Sequence, residues 1–449
     1  MLEMLGLIAS LILLMYLTMK GINIIVAAII STILVAITGG LNLGTALSEH
    51  YMTGFTGYFK SWFLIFLLGA IFGKIMQETL AADSIANWVK NTLGPSRAVF
   101  AVVAAAAMMT YGGVSLFVVG FAVYPIAVSL FRVANLPHRF IPAALVFGSI
   151  SFTMTAPGSP EIQNLIPTEF FGTKPTAGGI IGVLMAFLIM IVGGIMLGRM
   201  VKKAVQNGET FSLPNESGHN ETAAALADEE LEAQKPSHST EPKELPNIIF
   251  AFLPLVSVIA LLNIVSNFTT PTTAALISLT SGIAIACLLM FKFLRGFWNA
   301  LAKGSQDALV AVANTCAVVG FGSVAAQVSA FQSLVDALLN IPGPPLMGLA
   351  IAVTLICGIT GSASGGLGIA LPILAPVYMA QGMDPGAMHR ISALASGGLD
   401  SLPHNGYVVT TIRAICGETH QRSYWPIFML SVVLPTIVLI LATFLYTIF

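Results

Sequence analysis

Apolar runs of about 20 residues, the length needed to cross the hydrocarbon core of a bilayer, recur from one end of this chain to the other. In the first half they fall near 2–18, 21–39 and 60–77. A closely spaced pair follows near 97–111 and 114–131, then a segment starting near 140 and another near 176–198. The second half repeats the order: 247–265, 272–291 and 306–328, a pair near 345–359 and 367–380, a segment starting near 391, and a last one near 425–447. The rest of the composition agrees. Only 9% of the 449 residues are charged and 56% are hydrophobic. A soluble chain needs about 25% charged residues to face water. The expectation is an all-α integral membrane protein. A net charge of −1 excludes a polybasic nucleic-acid binder. The run from Leu5 lacks a basic leader and is followed at once by a second run, so it reads as a first span.

Between the halves lies a polar stretch, 201–245, with too little apolar area to fold. It divides the chain into a first membrane repeat (1–200), a flexible linker (201–245) and a second membrane repeat (246–449). Threading the segments alternately across a bilayer places all basic residues but Lys60, Lys174 and Arg390 on one side. That side should be cytoplasmic. Both termini then face outside, the linker is cytoplasmic, and the halves have the same element order in opposite orientation. This is the inverted-topology repeat of many secondary transporters: three spans, a re-entrant helical hairpin, a broken helix and a final span in each half.

Helix breaks at membrane depth survive only where protein or a water-filled cavity satisfies the freed backbone. Four such places are legible. Two are hairpin tips, Thr110-Tyr-Gly112-Gly113-Val-Ser115 and Thr360-Gly-Ser362-Ala-Ser364-Gly365-Gly366. Two are interrupted helices, around Thr155-Ala-Pro157-Gly158-Ser159-Pro160-Glu161-Ile-Gln-Asn164 and Ser396-Gly-Gly-Leu-Asp400-Ser401-Leu-Pro403-His404-Asn405-Gly406. Prolines and glycines free backbone groups, and hydroxyls and amides stand beside them. Half-helix N-termini can hold a carboxylate without a cation, and freed carbonyls with hydroxyls can hold Na⁺.

The candidate substrate residues are therefore Thr110, Gly112, Gly113, Ser115, Ser159, Asn164, Ser362, Ser364, Gly365, Ser401 and Asn405, with Asn164 and Asn405 on a substrate hydroxyl. Asp400, His404 and Glu161 are the candidates for proton coupling. Ionisable groups at such depth are rare and expensive, and Asp400 and His404 are four apart, a helical spacing. Lys74 is expected to snorkel, Asp307 to open a helix, and Glu49-His50 with Tyr51, Tyr58, Lys60 and Trp62 to form an interfacial arm. The four cysteines read as small apolar residues. No GxSxG, HExxH or P-loop occurs, so an enzyme and an ATP-driven pump are disfavoured. No cofactor is expected beyond a coupling ion, H⁺ or Na⁺. A channel and a cation/proton antiporter remain as rival classes.

The breaks resemble those of the gluconate permease (GntP) family of the ion transporter superfamily, whose members carry gluconate, other sugar acids and, in one branch, 3-hydroxybutyrate. Ser159-Pro-Glu-Ile-Gln-Asn-Leu-Ile-Pro167, with Thr-Ala-Pro-Gly before it, and Ser396 to Gly406 carry the resemblance. The Asp-Ser-Leu-Pro-His-Asn-Gly form looks closest to the hydroxybutyrate-type branch. The resemblance implies a symporter of a small hydroxy-monocarboxylate in a bacterial inner membrane. It also implies a homodimer, each copy having a static scaffold and an elevator-like domain that carries the hairpins and broken helices. Sugar acids and di- or tricarboxylates are the alternative substrates.

Overall fold

The computed structural model describes residues 2–448 apart from 21, 95–96, 115, 215–243, 332, 334–336, 338–342 and 404. Everything regular among the described residues is helix. The first half contains α1 (Leu2–Met19), α2 (Ile24–Thr38), α3 (Leu43–Glu78, with a π turn at Ala46–Tyr51) and α4 (Ala81–Leu93). A hairpin follows, α5 (Ala98–Tyr111) and α6 (Leu116–Val133). The first broken helix is α7 (Ile141–Val146, running on as a π turn to Ser151) and α8 (Ile162–Phe171), and α9 (Gly179–Gln206) closes the half. The second half has α10 (Ile248–Val265), α11 (Pro271–Leu289) and α12 (Phe297–Ala325). Its hairpin is α13 (Pro345–Thr360) and α14 (Ala363–Ala380). Its broken helix is α15 (Pro385–Ser396) and α16 (Gly406–Val409, with a π turn to Ile415), before α17 (His420–Ile448).

Local chemistry sets these boundaries. Asn23, Asn247, Thr270, Asp384 and Asn405 cap helix N-termini through their side chains, and prolines open α11, α13 and α15. Gly361 ends α13 in the left-handed region that a β-carbon would disfavour.

Seven of the described helices are long and apolar enough to cross a membrane. On α9, Ile180, Leu184, Phe187, Ile191 and Ile195 are exposed along one face, while Gly182, Met185, Ile189, Gly193 and Leu197 are buried along the other. A helix that exposes isoleucines and phenylalanine at three- and four-residue spacing faces hydrocarbon.

The contacts between helices are largely preserved when the halves are exchanged. The pair α2 and α12 answers α11 and α3; α5 with α7 and α9 answers α13 with α15 and α17; α6 on α16 answers α14 on α8. At the centre α3 lies along α12, and the approach is close because glycine faces the partner. A β-carbon on Gly320 would stand 2.9 Å from the Tyr51 backbone oxygen, and one on Gly304 2.9 Å from the Ile71 α-carbon.

Several local expectations give way here. The stretch around Glu49 and His50 is the start of α3 rather than an arm at the interface, and its Tyr51, Tyr58 and Trp62 are buried. Apolar periodicity alone begins α12 about two and a half turns too late. Asp307 therefore lies inside the helix, where it pairs with Lys74 at 3.1 Å, and Lys74 is not simply snorkelling. The apolar pattern also missed α4, whose mixed composition hides a helix with one buried face, Ala82, Ile85, Ala86 and Val89. The cysteines are free thiols, three of them buried.

Beyond α9 the chain from Glu209 to Pro214 lies across one end of the bundle. Arg139 grips the Glu209 carboxylate with two hydrogen bonds, 2.7 and 2.8 Å, and Phe211 packs edge-on to His138 and under Arg132. His138 in turn meets Glu418 of the other half at 2.9 Å, both fully buried.

Two outcomes follow from this packing. Gly320→Ala should lower the melting temperature in detergent by an amount equivalent to about 1–3 kcal/mol. Gly57→Ala, which meets nothing within 4 Å, should leave it unchanged. The hydrogen bonds from Arg139, opposed by slight burial and aided by the charges of Arg139 and Arg422, hold the Glu209 carboxyl below its ordinary 4.5. The docking of 209–214 is then fully present above that value and weakens as pH falls through the lowered one. A fluorophore on Ser212→Cys should report release on acidification, and Arg139→Gln should remove that pH dependence.

Candidate functional site

Both interrupted helices are open at mid-chain. Residues 152–161 and 397–403 have no helix, so backbone groups in an apolar bundle need other partners. Each hairpin tip is bonded to the break of its own half, the first as donor and the second as acceptor. The Tyr111 hydroxyl donates to the Pro157 carbonyl at 2.7 Å, and the Asn405 amide donates to the Gly361 carbonyl at 3.2 Å. Gly113 takes a positive φ of 91°, and a β-carbon there would lie 3.1 Å from the Pro160 ring. The two breaks meet each other where the Thr155 methyl lies 3.3 Å from the β-carbon position of Gly397.

Around the first break a buried polar cluster joins the halves. The Asn164 amide donates to the carbonyls of Ser159 (2.8 Å) and Pro175 (2.9 Å), which leaves its oxygen to accept from His389 Nε2 at 3.2 Å. His389 Nδ1 then accepts from the Thr173 hydroxyl at 2.6 Å. Arg390 is 0% exposed. Its Nε and Nη2 donate to Ala177 O at 3.0 and 2.8 Å, Nη2 also to Pro175 O at 3.2 Å, and Nη1 to Thr155 O. Lys174, in the same loop, reaches Asn267 at 2.7 Å on the surface. Threading had put Arg390 among the few basic residues of the outer aqueous side; the fold instead buries it. In sequence, His389-Arg390 ahead of the second break matches His138-Arg139 ahead of the first, and nothing local to the pair signals its burial.

The site residues expected from sequence divide into three kinds. Ser159, Ser362, Ser401 and both asparagines are used locally. Ser159 Oγ accepts from the Glu161 N–H at 3.2 Å, Ser362 caps α14 at Gly365 N (3.1 Å), and Ser401 donates to Asp400 at 2.9 Å. Asn405 caps Val408 N at 2.9 Å besides holding Gly361. Asn164 and Asn405 therefore shape the breaks; Asn164 has no amide donor left for a substrate hydroxyl, whereas Asn405 keeps one N–H beyond its bond to Gly361. Gly112, Gly113 and Gly365 lie buried at the two tips, and Ser364 beside Ser362, at 3.5 Å between hydroxyls.

A second kind is buried and unpartnered: Thr110 Oγ1 and, unforeseen, Thr155 Oγ1. Third are the ionisable groups. Asp400 is buried beside Ser401, whose carbonyl accepts from the Tyr424 hydroxyl at 3.1 Å; Glu161 is half-buried at the start of α8. The helical spacing expected for Asp400 and His404 does not hold, because the chain from 397 to 403 is turn. His404 and Ser115 lie outside the described residues.

Hairpins whose tips meet broken helices, inside a bundle with lipid-facing flanks, are an architecture that secondary transporters use. The model of the GntP family permeases matches residues 2–401, and the chain belongs to that family. It is 35% identical to YxjC of Bacillus subtilis (strain 168), an uncharacterized transporter, over 96% of each chain. It is 24% identical to an uncharacterized permease of Haemophilus influenzae, over 83% of this chain and 77% of that one.

Among solved structures the fold is similar to the Alcanivorax borkumensis YdaH transporter. The TM-score is 0.54 at 16% identity, covering 99% of this chain and 98% of that chain. It is also similar to Neisseria gonorrhoeae MtrF, described with a class of antimetabolite efflux pumps. There the TM-score is 0.50 at 15% identity, covering 91% and 84%.

The cluster at Asn164 carries its own expected outcome. Asn164→Leu orphans the Ser159 carbonyl and His389 Nε2, while Pro175 O keeps its bonds from Gly158 N and Arg390, and should destabilise the protein by at least about 2 kcal/mol, at roughly 1–3 kcal/mol per orphaned buried group. Thermal unfolding in detergent measures this; a wild-type melting temperature would mean that the cluster does not hold the break.

Proposed function

We propose that this permease is a secondary active symporter of a small hydroxy-monocarboxylate, of 3-hydroxybutyrate type, driven by protons. The observation that carries the reading is the meeting of the two breaks at Thr155 and Gly397, beside a buried hydroxyl without a partner. Buried polar groups are ordinarily hydrogen-bonded, and one left open at a junction of broken helices suits a ligand that comes and goes. In this reading the substrate carboxylate lies between the tips and the breaks, near Thr110, Thr155, Ser362 or Ser364 and the backbone N–H groups of the tip glycines. The relative orientation of the halves is inverted, both termini are outside and the linker is cytoplasmic. The protein works in a bacterial inner membrane as a homodimer, with hairpins and broken helices moving together against α3 and α12.

Asp400 is the proposed coupling group. It is a carboxyl buried in the second break, with the Ser401 hydroxyl as its hydrogen-bond donor and no ion pair among the described residues. Such a group favours loading proton and anion together, because either charge alone is costly to enclose. Coupling also requires that the loaded and empty forms differ in their preference for the two access states.

The test is uptake of labelled D-3-hydroxybutyrate into proteoliposomes under a pH gradient, then under a sodium gradient, with excess gluconate as competitor. Uptake driven by pH and insensitive to gluconate is the expected result. Drive by sodium alone removes the proton, competition by gluconate moves the substrate to sugar acids, and flux without saturable counterflow indicates a channel. Asp400→Asn should abolish uphill uptake yet spare counterflow; unaltered uphill uptake takes Asp400 out of the mechanism.

A further inference from the structure

We propose that Arg390 is the fixed cation of the transport site, the charge against which the substrate carboxylate is held at the junction of the two breaks. The proposal rests on the carrier reading above. It replaces recognition by helix ends alone with recognition by a guanidinium that reaches the first break from α15.

Arg390 is enclosed by the fold rather than trapped at its edge. A β-carbon on Gly182 would lie 3.0 Å from Arg390 Cδ and 3.1 Å from Nε, and one on Gly178 would lie 2.8 Å from Cγ. The first turn of α9 is thus a groove cut to the width of this side chain. The guanidinium then bonds only to the carbonyls of Thr155, Pro175 and Ala177. The tyrosine hydroxyls of Tyr111 and Tyr446 are directed elsewhere, to Pro157 O and Gly178 O.

No described carboxylate forms an ion pair with Arg390. Carbonyl dipoles orient and partly solvate the charge, but they do not cancel it. A buried, uncancelled charge inside an apolar body is expensive, and such residues ordinarily find an opposite charge or line a substrate path. The bonds engage all but one of the guanidinium N–H groups, and the free one is on Nη1, the nitrogen that holds Thr155. Thr155 also carries the unpartnered hydroxyl and touches the second break. An anion at that point meets an N–H donor, an O–H donor and a net positive charge in one place. A carboxylate fits all three; an uncharged analogue of the same shape fits only the first two.

The experiment measures binding to the purified full chain in detergent by calorimetry. The probes are D-3-hydroxybutyrate, gluconate and the uncharged amides of both, 3-hydroxybutyramide and gluconamide. The wild type is expected to bind one of the acids and to prefer 3-hydroxybutyrate over its amide, or gluconate over gluconamide. Arg390→Gln should weaken acid binding roughly 30-fold or more, the scale for removing one partner of a buried charge pair. Amide binding should stay within about threefold on the same scale. A role confined to holding the loop would lower acid and amide binding together.

Arg390→Lys keeps the charge but not the fork, so it should keep the preference for acid over amide at reduced stability. An Arg390→Gln protein that melts like wild type and binds acid within twofold would overturn the proposal. Wild-type protein that binds amide as tightly as acid would overturn it without any variant. Wild-type protein that binds neither acid removes the carrier reading beneath it, and this proposal with it.

Discussion

A backbone carbonyl or N–H freed inside an apolar bundle has no water to turn to, and the arrangement of this protein follows from how those groups are satisfied. Two helices are broken, and donors arrive from elements far away in sequence to hold the breaks. Tyr111 comes from the first hairpin tip, Asn405 ties the second tip, and Asn164 and Arg390 bridge the first break and the loop after α8. Tip, break and loop thus share hydrogen bonds, and α10 and the turn after it join them through Asn263 on the Gly158 carbonyl and Asn267 on Lys174. Against α3 and α12 the second hairpin packs through glycine and alkyl contacts, such as Gly322 on Ile369 and Gly368 on Tyr58.

The same economy of donors separates residues that hold the breaks from those left free to meet a ligand. Asparagines and serines at broken helices invite assignment to substrate, because they are the polar groups that sequence displays. In the fold most of them are committed to backbone, while the open positions include the Thr110 and Thr155 hydroxyls, the Gln163 amide oxygen and part of a guanidinium. A site of this kind is kept in shape by its polar residues and offers few contacts of its own, consistent with a ligand that must also be released.

What could be read beforehand divides along a physical line. Helix lengths near 20 residues, the paired hairpin segments and the Pro/Gly interruptions are local properties, and they located nearly every element, including both breaks and both hairpin tips. The mixed-composition helix Ala81–Leu93 escaped because it buries one face only. Lys74 and Asp307 were read singly because the registry of α3 on α12, which makes them partners, is not written in either segment.

By itself, then, the sequence determined the class of solvent, the number and order of apolar helices, and the places where helix must fail, since hydropathy, proline and glycine act within a few residues of themselves. Tertiary structure decided which charged group would be buried and which hydroxyls would stay open. His389 and Arg390 look like residues at the water's edge until α9 presents Gly178 and Gly182 to them and the 173–177 loop turns its carbonyls inward. Burial and hydrogen bonding are sums over neighbours distant in the chain, so only the assembled bundle could settle them.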